Sequence, residues 1–131
     1  MRLNQVTIAC RDYAASVAFY RTLGLHLIVD APDRYARFEC PTEDANDQPS
    51  TLSLHAITPD ERVSGTVIYF EVADVQATFN RLVEAGLTPQ AAPTKQDWLW
   101  TECYFDDPAG NRVCIYHAGE NRRFPPWRVE R

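Results

Sequence analysis

The sequence predicts an α+β fold made of two tandem βαβββ modules. Each half of the chain contains one segment with helical spacing of apolar residues and several short segments rich in β-branched and aromatic residues. Three residues of the first half also recur 62 positions later, since Asp12, Gly24 and Leu25 correspond to Asp74, Gly86 and Leu87. A repeated capping residue, helix stop and strand count are typical of a duplicated module. An unrelated α+β domain is the alternative, and strand order is left open.

The first module is predicted to cover residues 1–57. The segment from Leu3 to Cys10 alternates between faces and is a predicted strand. Asp12 is the expected N-cap of a helix, which ends at Gly24, where a left-handed residue is favoured. The segments HLIVDA, RYARFE and TLSLHAI are three further strands, and the polar PTEDANDQPS is a loop before the last one.

The second module is predicted at residues 66–118, after a polar linker at residues 58–65. TVIYFEV is a strand, Asp74 caps a helix with one apolar stripe, and Gly86 stops that helix. LTPQAAP is expected to be an edge strand, because its two prolines cannot donate backbone hydrogen bonds within a sheet interior.

A β-hairpin is predicted between residues 98 and 119 to complete the second module. Its strands are the aromatic and β-branched runs at residues 100–105 and 113–116, and its turn contains Asp107, Pro108, Gly110 and Asn111. A hairpin this apolar on both strands requires a helix against one face and another contact against the other. Function is expected at that second face.

Composition limits the classes of partner. With 131 residues, 45% of them hydrophobic, the chain has enough core to fold without metals or disulfides. The net charge of −5 and the pI of about 5.1 oppose binding to nucleic acid or to an anionic membrane. No apolar run is long enough to span a membrane, and the first residues do not resemble a signal peptide. A cytoplasmic protein with a small-molecule or protein partner is expected.

The four cysteines are expected to be reduced thiols in that compartment. Cys10, Cys40, Cys103 and Cys114 lie in predicted strands or at their ends, and no two have the C-x-x-C spacing of many zinc sites. A zinc site built on them is not expected.

Three segments together resemble the vicinal oxygen chelate superfamily, which includes glyoxalase I, bleomycin-resistance proteins, extradiol dioxygenases and fosfomycin-resistance enzymes. They are LNQVTIACRDYAASVAFYRTLGL, TVIYFEVADVQATFNRLVEAGL and FDDPAGNRVCIYH, which extend through both modules. The D-P-x-G-N turn before the last strand is the most specific of these features. The resemblance implies paired βαβββ modules whose curved mixed sheets enclose a cavity, often in a homodimer.

The resemblance also implies where a metal would bind. Superfamily members that use a metal draw one ligand, usually His or Glu, from each of four strands. The matching positions here are Gln5, Ser53, Val67 and Cys114. Gln5 is tolerated in the family, but serine is a poor ligand, valine is not a ligand, and a thiolate is unusual beside oxygen ligands. We therefore expect no cofactor, and a divalent metal is disfavoured.

The same positions identify the residues expected to face the cavity, because side chains alternate along a strand. His55 and Glu71 are the pair able to perform acid–base chemistry. On the alternative interpretation, His55 is a hydrogen-bonded residue at a strand end and Glu71 is solvated. The expected substrate-binding residues combine polar groups with aromatic rings that suit a small organic ligand: Gln5, Thr7, Ser53, Tyr69, Trp98, Trp100, Cys114 and Tyr116.

Several of these residues also have structural interpretations. Cys114 would be a nucleophile only if a base lowered the pKa of its thiol. The structural interpretation is preferred, because a buried cysteine usually acts as a small hydrophobic residue. Trp98 and Trp100 suit an aromatic ligand or an interface equally. The Pro- and Arg-rich tail at residues 119–131 is expected to lie over the sheet with Phe124 and Trp127 as anchors, and anion or partner binding is its alternative role.

Three functional hypotheses follow. The first is a superfamily member that binds a small organic molecule without the usual metal, with lyase, isomerase or hydrolase activity left open. The second is a non-catalytic protein that sequesters a drug or metabolite, as bleomycin-resistance proteins do. The third is a glyoxalase-type or dioxygenase-type metalloenzyme, which requires that the four ligand positions are misassigned.

Overall fold

The computed structural model describes residues 2–129 and contains eight β-strands, two α-helices and one 3-10 helix in that range. The chain divides into two compact units. Residues 2–66 with 107–111 form the first unit, and residues 67–106 with 112–129 form the second. No helix within the described range is both long and apolar enough to cross a membrane.

The first unit has the order βαβββ. Its elements are β1 (Gln5–Cys10), α1 (Tyr13–Leu23), β2 (His26–Ala31), β3 (Tyr35–Glu39) and β4 (Thr51–Ala56). The Asp12 side chain accepts a hydrogen bond from the backbone N–H of Ala15, 2.9 Å away, and so caps α1. Gly24 ends the helix with a φ of 112°, a left-handed conformation that glycine adopts without a Cβ clash.

The four strands of this unit form one mixed sheet in the order β1-β4-β3-β2. The outer pair β1 and β4 is parallel, and the other pairs are antiparallel. Helix α1 covers one face, where the ring of Tyr20 lies 5.9 Å from the ring of Phe38. Leu52, the register partner of Phe38, is buried on the same face. The opposite, open face therefore carries the residues that alternate with these, including Ser53.

The second unit repeats this order. Its elements are β5 (Val67–Glu71), α2 (Val75–Glu84), β6 (Pro89–Lys95), β7 (Thr101–Asp106) and β8 (Arg112–His117), followed by the 3-10 helix Gly119–Arg122. Asp74 caps α2 by accepting a hydrogen bond of 2.9 Å from the backbone N–H of Ala77. The helix ends at Ala85, and Gly86 follows with a φ of 97°.

The sheet of the second unit has the equivalent strand order, β5-β8-β7-β6, with β5 and β8 parallel. Strand β6 is at the edge, as its prolines predict. Helix α2 packs on one face, where the rings of Phe79 and Phe105 are 6.0 Å apart and Leu82 is fully buried. The open face is on the other side of β5, β7 and β8.

The hairpin turn contains a buried polar network within the first unit. The Asp107 carboxylate accepts hydrogen bonds from the Tyr20 hydroxyl at 2.7 Å and from the side-chain amide of Asn111 at 2.8 Å. Its other oxygen accepts from the backbone N–H groups of Ala109 and Asn111. The Asn111 amide also donates to the carbonyl of Ala9 at 2.7 Å. The turn residues thus do more than set backbone geometry. They form hydrogen bonds with one another and with buried polar groups of β1 and α1.

The predicted α+β fold with two βαβββ modules is confirmed: two four-stranded mixed sheets each have one helix on one face. Strand β1 begins at Gln5 rather than Leu3, which is almost fully exposed.

The expectation for the tail was wrong in one respect. Phe124 and Trp127 are not buried anchors in the single chain, since more than half of each side chain is exposed. The guanidinium groups of Arg123 and Arg128 lie 5.2 and 4.6 Å from the Phe124 ring, so local cation–π contacts replace packing on the sheet. Residues 130 and 131 of the predicted tail lie outside the described residues.

Candidate functional site

The open face of the second sheet contains most of the predicted binding residues. In the strand register, Tyr69 is the partner of Cys114 and Glu71 is the partner of Tyr116. All four alternate with residues on the face that α2 covers, so they lie on the open face together with Val67. The alternation of side chains along the strands predicts this placement of the four residues. Their roles in binding stay predictions.

Three rings on this face form an aromatic cluster, which consists of Tyr69, Trp100 and Tyr116. Trp100 and Tyr116 are stacked, with centroids 4.8 Å apart and planes inclined by 23°. Tyr69 meets both rings edge-on, at 6.1 Å from Trp100 and 5.6 Å from Tyr116. Tyr116 is buried, but Tyr69 is 47% exposed, so solvent reaches the cluster mainly at Tyr69.

A buried carboxylate lies beside this cluster on the same face. Glu102 is only 2% exposed and is the register partner of Tyr116. It accepts hydrogen bonds from the indole N–H of Trp98 at 2.6 Å and from the hydroxyl of Tyr104 at 2.5 Å. Burial and the hydrogen bond to Glu102 raise the pKa of Tyr104. Glu102 and Tyr104 were not predicted from the sequence, although alternation along β7 places both on this face once β7 is paired with β8.

Cys114 is fully buried in this face. Burial raises the pKa of its thiol to about 12, and the nearby Glu102 carboxylate adds to that shift. A thiol with a pKa this high stays protonated near neutral pH, whereas nucleophilic attack and metal ligation need the thiolate. These properties support the structural interpretation of Cys114.

Glu71 is held by the chain that follows β8. One carboxylate oxygen accepts hydrogen bonds from the backbone N–H groups of Ala118 at 3.0 Å and Gly119 at 2.9 Å. The other oxygen lies 3.6 Å from the guanidinium of Arg122, and His117 lies 4.0 Å from the first. Both carboxylate oxygens of Glu71 therefore have partners at the end of the sheet.

The open face of the first sheet contains a polar cluster, which consists of Gln5, Tyr35, Arg37 and Ser53. The buried Ser53 hydroxyl accepts a hydrogen bond from the Gln5 side-chain amide at 2.8 Å and lies 2.7 Å from the Tyr35 hydroxyl. Arg37 donates to the Tyr35 oxygen from Nε at 3.0 Å and from Nη2 at 2.7 Å. The Gln5 amide also lies 3.3 Å from the hydroxyl of Thr7.

Tyr35 has an unusual environment for a tyrosine. The hydrogen bond with Ser53, followed by the hydrogen bonds and charge of Arg37, lowers its pKa from the ordinary value. Neither Tyr35 nor Arg37 was identified from the sequence, because Tyr35, Arg37 and Ser53 meet only when β3 pairs with β4.

His55 lies at the end of β4, where its side chain is exposed. The carboxylate of Glu61 is close enough for the charge of His55 to lower the pKa of Glu61, after the larger effect of hydrogen bonds from Thr58. His55 belongs to the first unit and Glu71 to the second. Their joint role as an acid–base pair stays a prediction.

The residues at the four metal-ligand positions do not fit a metal. The Gln5 side chain is hydrogen-bonded to Ser53 and Thr51. Val67 offers no donor atom, and the Cys114 thiol is held protonated by burial. No group of three His, Cys, Asp or Glu side chains suited to a metal occurs in residues 2–129.

Comparison with protein families decides the relationship. The sequence profile of the Glyoxalase/Bleomycin resistance protein/Dioxygenase superfamily matches residues 2–115. The chain belongs to this superfamily. The resemblance inferred from the three sequence segments is thereby confirmed.

Solved structures of the superfamily share the fold. A lactoylglutathione lyase from Agrobacterium tumefaciens matches with a TM-score of 0.73 and 20% identity, over 94% of this chain and 97% of that one. A glyoxalase/bleomycin resistance protein/dioxygenase from Nocardioides matches with a TM-score of 0.74 and 23% identity, over 99% and 90%. A bleomycin-binding protein complexed with bleomycin matches with a TM-score of 0.65 and 18% identity, over 89% and 98%. At these identities the likeness establishes the fold, and comparison with curated protein sequences gives no match.

Proposed function

We propose that this superfamily member binds a small organic molecule with a planar unsaturated group on the open face of its second unit, without the metal that many of its relatives use. The single observation on which this rests is the aromatic cluster. Trp100 and Tyr116 are stacked into a rigid surface, and Tyr69 stands edge-on beside them with half of its area exposed. Aromatic rings fixed in this way bind flat ligands at a low cost in conformational entropy.

The polar groups of the same face support binding rather than catalysis. Glu102 already accepts two hydrogen bonds, and Glu71 is engaged by two backbone N–H groups and an arginine. The Cys114 thiol, with a pKa of about 12, is a poor nucleophile near neutral pH. A general base needs a free lone pair close to the reacting proton. The carboxylates and the thiol of this face have few lone pairs that are not already engaged. Sequestration of the ligand is therefore the function that we favour over lyase or isomerase chemistry.

Relatives give the proposal a precedent. The bleomycin-binding protein was solved in complex with bleomycin, so the fold can hold a small molecule in a protein named for binding. The lactoylglutathione lyase is named for an enzymatic activity on the same fold. We favour a binding protein over a metalloenzyme because the residues at the four ligand positions are unsuitable metal ligands.

Binding is tested by titrating the protein with bleomycin and with a panel of planar phenols and heteroaromatic acids, while tryptophan fluorescence is recorded. We expect at least one compound to bind saturably. For that compound, Tyr69→Leu should weaken the Kd roughly 10-fold, because the lost ring contact is worth about 1–2 kcal/mol, whereas Tyr69→Phe should bind nearly as the native protein does.

Trp127→Leu is the matched control, since Trp127 is an exposed aromatic residue of the tail. It should change the fluorescence baseline but not the Kd. Mass spectrometry of the recovered compound then separates the hypotheses: an unchanged ligand supports sequestration, and a converted one would identify an enzyme. Equal affinity in Tyr69→Leu and the native protein would refute the aromatic cluster as the site.

The metal-free part of the proposal has its own test. Protein exposed to excess Zn²⁺, Ni²⁺, Mn²⁺ or Fe²⁺ and then desalted should retain far less than one ion per chain, because its donor set is unsuitable. Elemental analysis measures this directly. Near-stoichiometric retention that is lost in Gln5→Ala would mean that the metal site is present after all.

A further inference from the structure

The polar cluster of the first unit contains an arginine that has no negative partner among residues 2–129. Arg37 forms no ion pair within residues 2–129, and its hydrogen bonds go to the hydroxyl groups of Tyr35 and Ser53. Both are neutral acceptors in their protonated forms. Glu39 is the next residue on the same face of β3, yet it makes no ion pair with Arg37. A half-buried guanidinium loses hydration, so it usually has a carboxylate or a ligand anion nearby.

The guanidinium is also held in one orientation. Its Nε and Nη2 atoms both donate to the Tyr35 hydroxyl oxygen, and its central carbon lies 5.5 Å from the centroid of the Tyr35 ring. The Nη1 atom makes no hydrogen bond to any part of the chain that the structure describes. An arginine that is fixed by one edge, with donors free on another, is prepared for planar, two-point recognition of an oxyanion.

The neighbouring groups are mostly donors as well. Gln5 presents a side-chain amide, and Ser53, Tyr35 and Thr7 present hydroxyl groups. Hydroxyl groups can rotate their protons toward an incoming anion. No carboxylate of the described residues hydrogen-bonds to Arg37 or to any of these four side chains.

We propose that the polar cluster is an oxyanion-binding site, in which Arg37 pairs with a carboxylate or phosphate group of a ligand. Tyr35 and Ser53 hold the guanidinium, and Gln5 in turn holds Ser53. The site lies within the first unit and does not depend on the aromatic cluster of the second.

The test is an NMR titration that follows the Nε–Hε signals of the arginine side chains at constant ionic strength. Arg37 is assigned from the signal that disappears in Arg37→Gln. Benzoate and inorganic phosphate are the two probes, and chloride is the ionic-strength control. We expect a saturable shift of the Arg37 signal with at least one probe, at least 10-fold tighter than any response to chloride. Saturation by benzoate alone would indicate a carboxylate ligand, and saturation by phosphate alone would indicate a phosphate ligand.

Variants separate a site from a general charge effect. Arg37→Gln should weaken binding of the probe at least 10-fold, measured by calorimetry, and Arg37→Lys should weaken it less because the charge is kept. Arg62→Gln is the matched control, since it removes the same charge from an exposed position in the loop before β5, and it should bind as the native protein does. Circular dichroism of each variant checks folding, and Arg37→Lys keeps the test informative if Arg37→Gln does not fold.

Shifts of the Arg37 signal that are linear in probe concentration, or that are equal for chloride, would overturn the proposal. Equal calorimetric affinities of the Arg37→Gln and Arg62→Gln proteins for the probe would overturn it as well. The Tyr69→Leu protein should keep this site, so that its failure and the failure of ligand binding in the second unit can be distinguished.

Discussion

Buried cysteines illustrate how individual residues acquire their properties here. Cys103 and Cys114 are fully buried, and burial raises their pKa values to about 11 and about 12. Cys40 is only partly buried. An apolar environment penalises the thiolate, so these side chains act as small hydrophobic groups that fill space between larger residues.

The raised pKa values predict both reactivity and pH dependence. In the folded protein at pH 8, iodoacetamide should modify Cys40 well before Cys103 and Cys114, as measured by peptide mass spectrometry. Because the pKa of each buried thiol is higher in the folded protein than in the unfolded chain, burial of the protonated thiol stabilises the fold. This contribution is complete at pH values below the thiol pKa of the unfolded chain, which is about 8.5. That contribution should be lost as the pH rises from about 9 through 11 and 12. Modification of Cys114 as rapid as that of Cys40 would contradict the assignment.

At the scale of elements, each unit is organised by one capped helix and one parallel strand pair. Asp12 and Asp74 occupy the same place in the two helices, and both accept a hydrogen bond from a backbone N–H three residues later. The pairs β1–β4 and β5–β8 are parallel, whereas the hairpin β7–β8 is antiparallel. The turn of that hairpin is unusual because its polar residues are buried.

The buried turn predicts a large effect of one substitution. Asp107→Ala leaves the Tyr20 hydroxyl and the amide groups of Asn111 without their acceptor, so the free energy of unfolding should fall by about 3 kcal/mol. Asp106→Ala is the control. Its carboxylate is partly exposed and pairs with Arg112 at 3.2 Å, which predicts a loss below about 1 kcal/mol. Urea denaturation measures both, and equal losses would show that the network adds little.

At the scale of the whole molecule, each of the two units has one sheet face that its own helix does not cover. In each sheet a helix covers one face, and β2 and β6 are edge strands. Exposed edges and apolar faces are commonly covered by a second copy of the chain. The sequence resemblance also implies a homodimer, which stays a prediction.

Light scattering at micromolar concentration tests the assembly. We expect twice the chain mass of 15.0 kDa. Dilution should shift the mass toward that of one chain if the association is reversible, because dimer stability depends on concentration. A mass of one chain throughout the micromolar range would argue against the homodimer.

The amino-acid sequence by itself determined the element order, the helix ends and the face of each strand. Those features depend on neighbours within a few residues: Asp12 and Asp74 as caps, Gly24 and Gly86 as stops, and alternation in β4 and β5. Membership of the superfamily also followed from the sequence, because its most specific motif is the continuous turn before β8.

Only the tertiary structure decided which side chains meet. Arg37 lies beside Ser53 because β3 pairs with β4, and Glu102 lies beside Tyr116 because β7 pairs with β8. The parallel pairing of β1 with β4 likewise brings Gln5 to Ser53 across 48 positions of sequence. Strand order and register result from burying one face of each sheet under a helix, a requirement that involves the whole unit and leaves no local signal. The polar cluster, the buried carboxylate and the satisfied turn all depend on it.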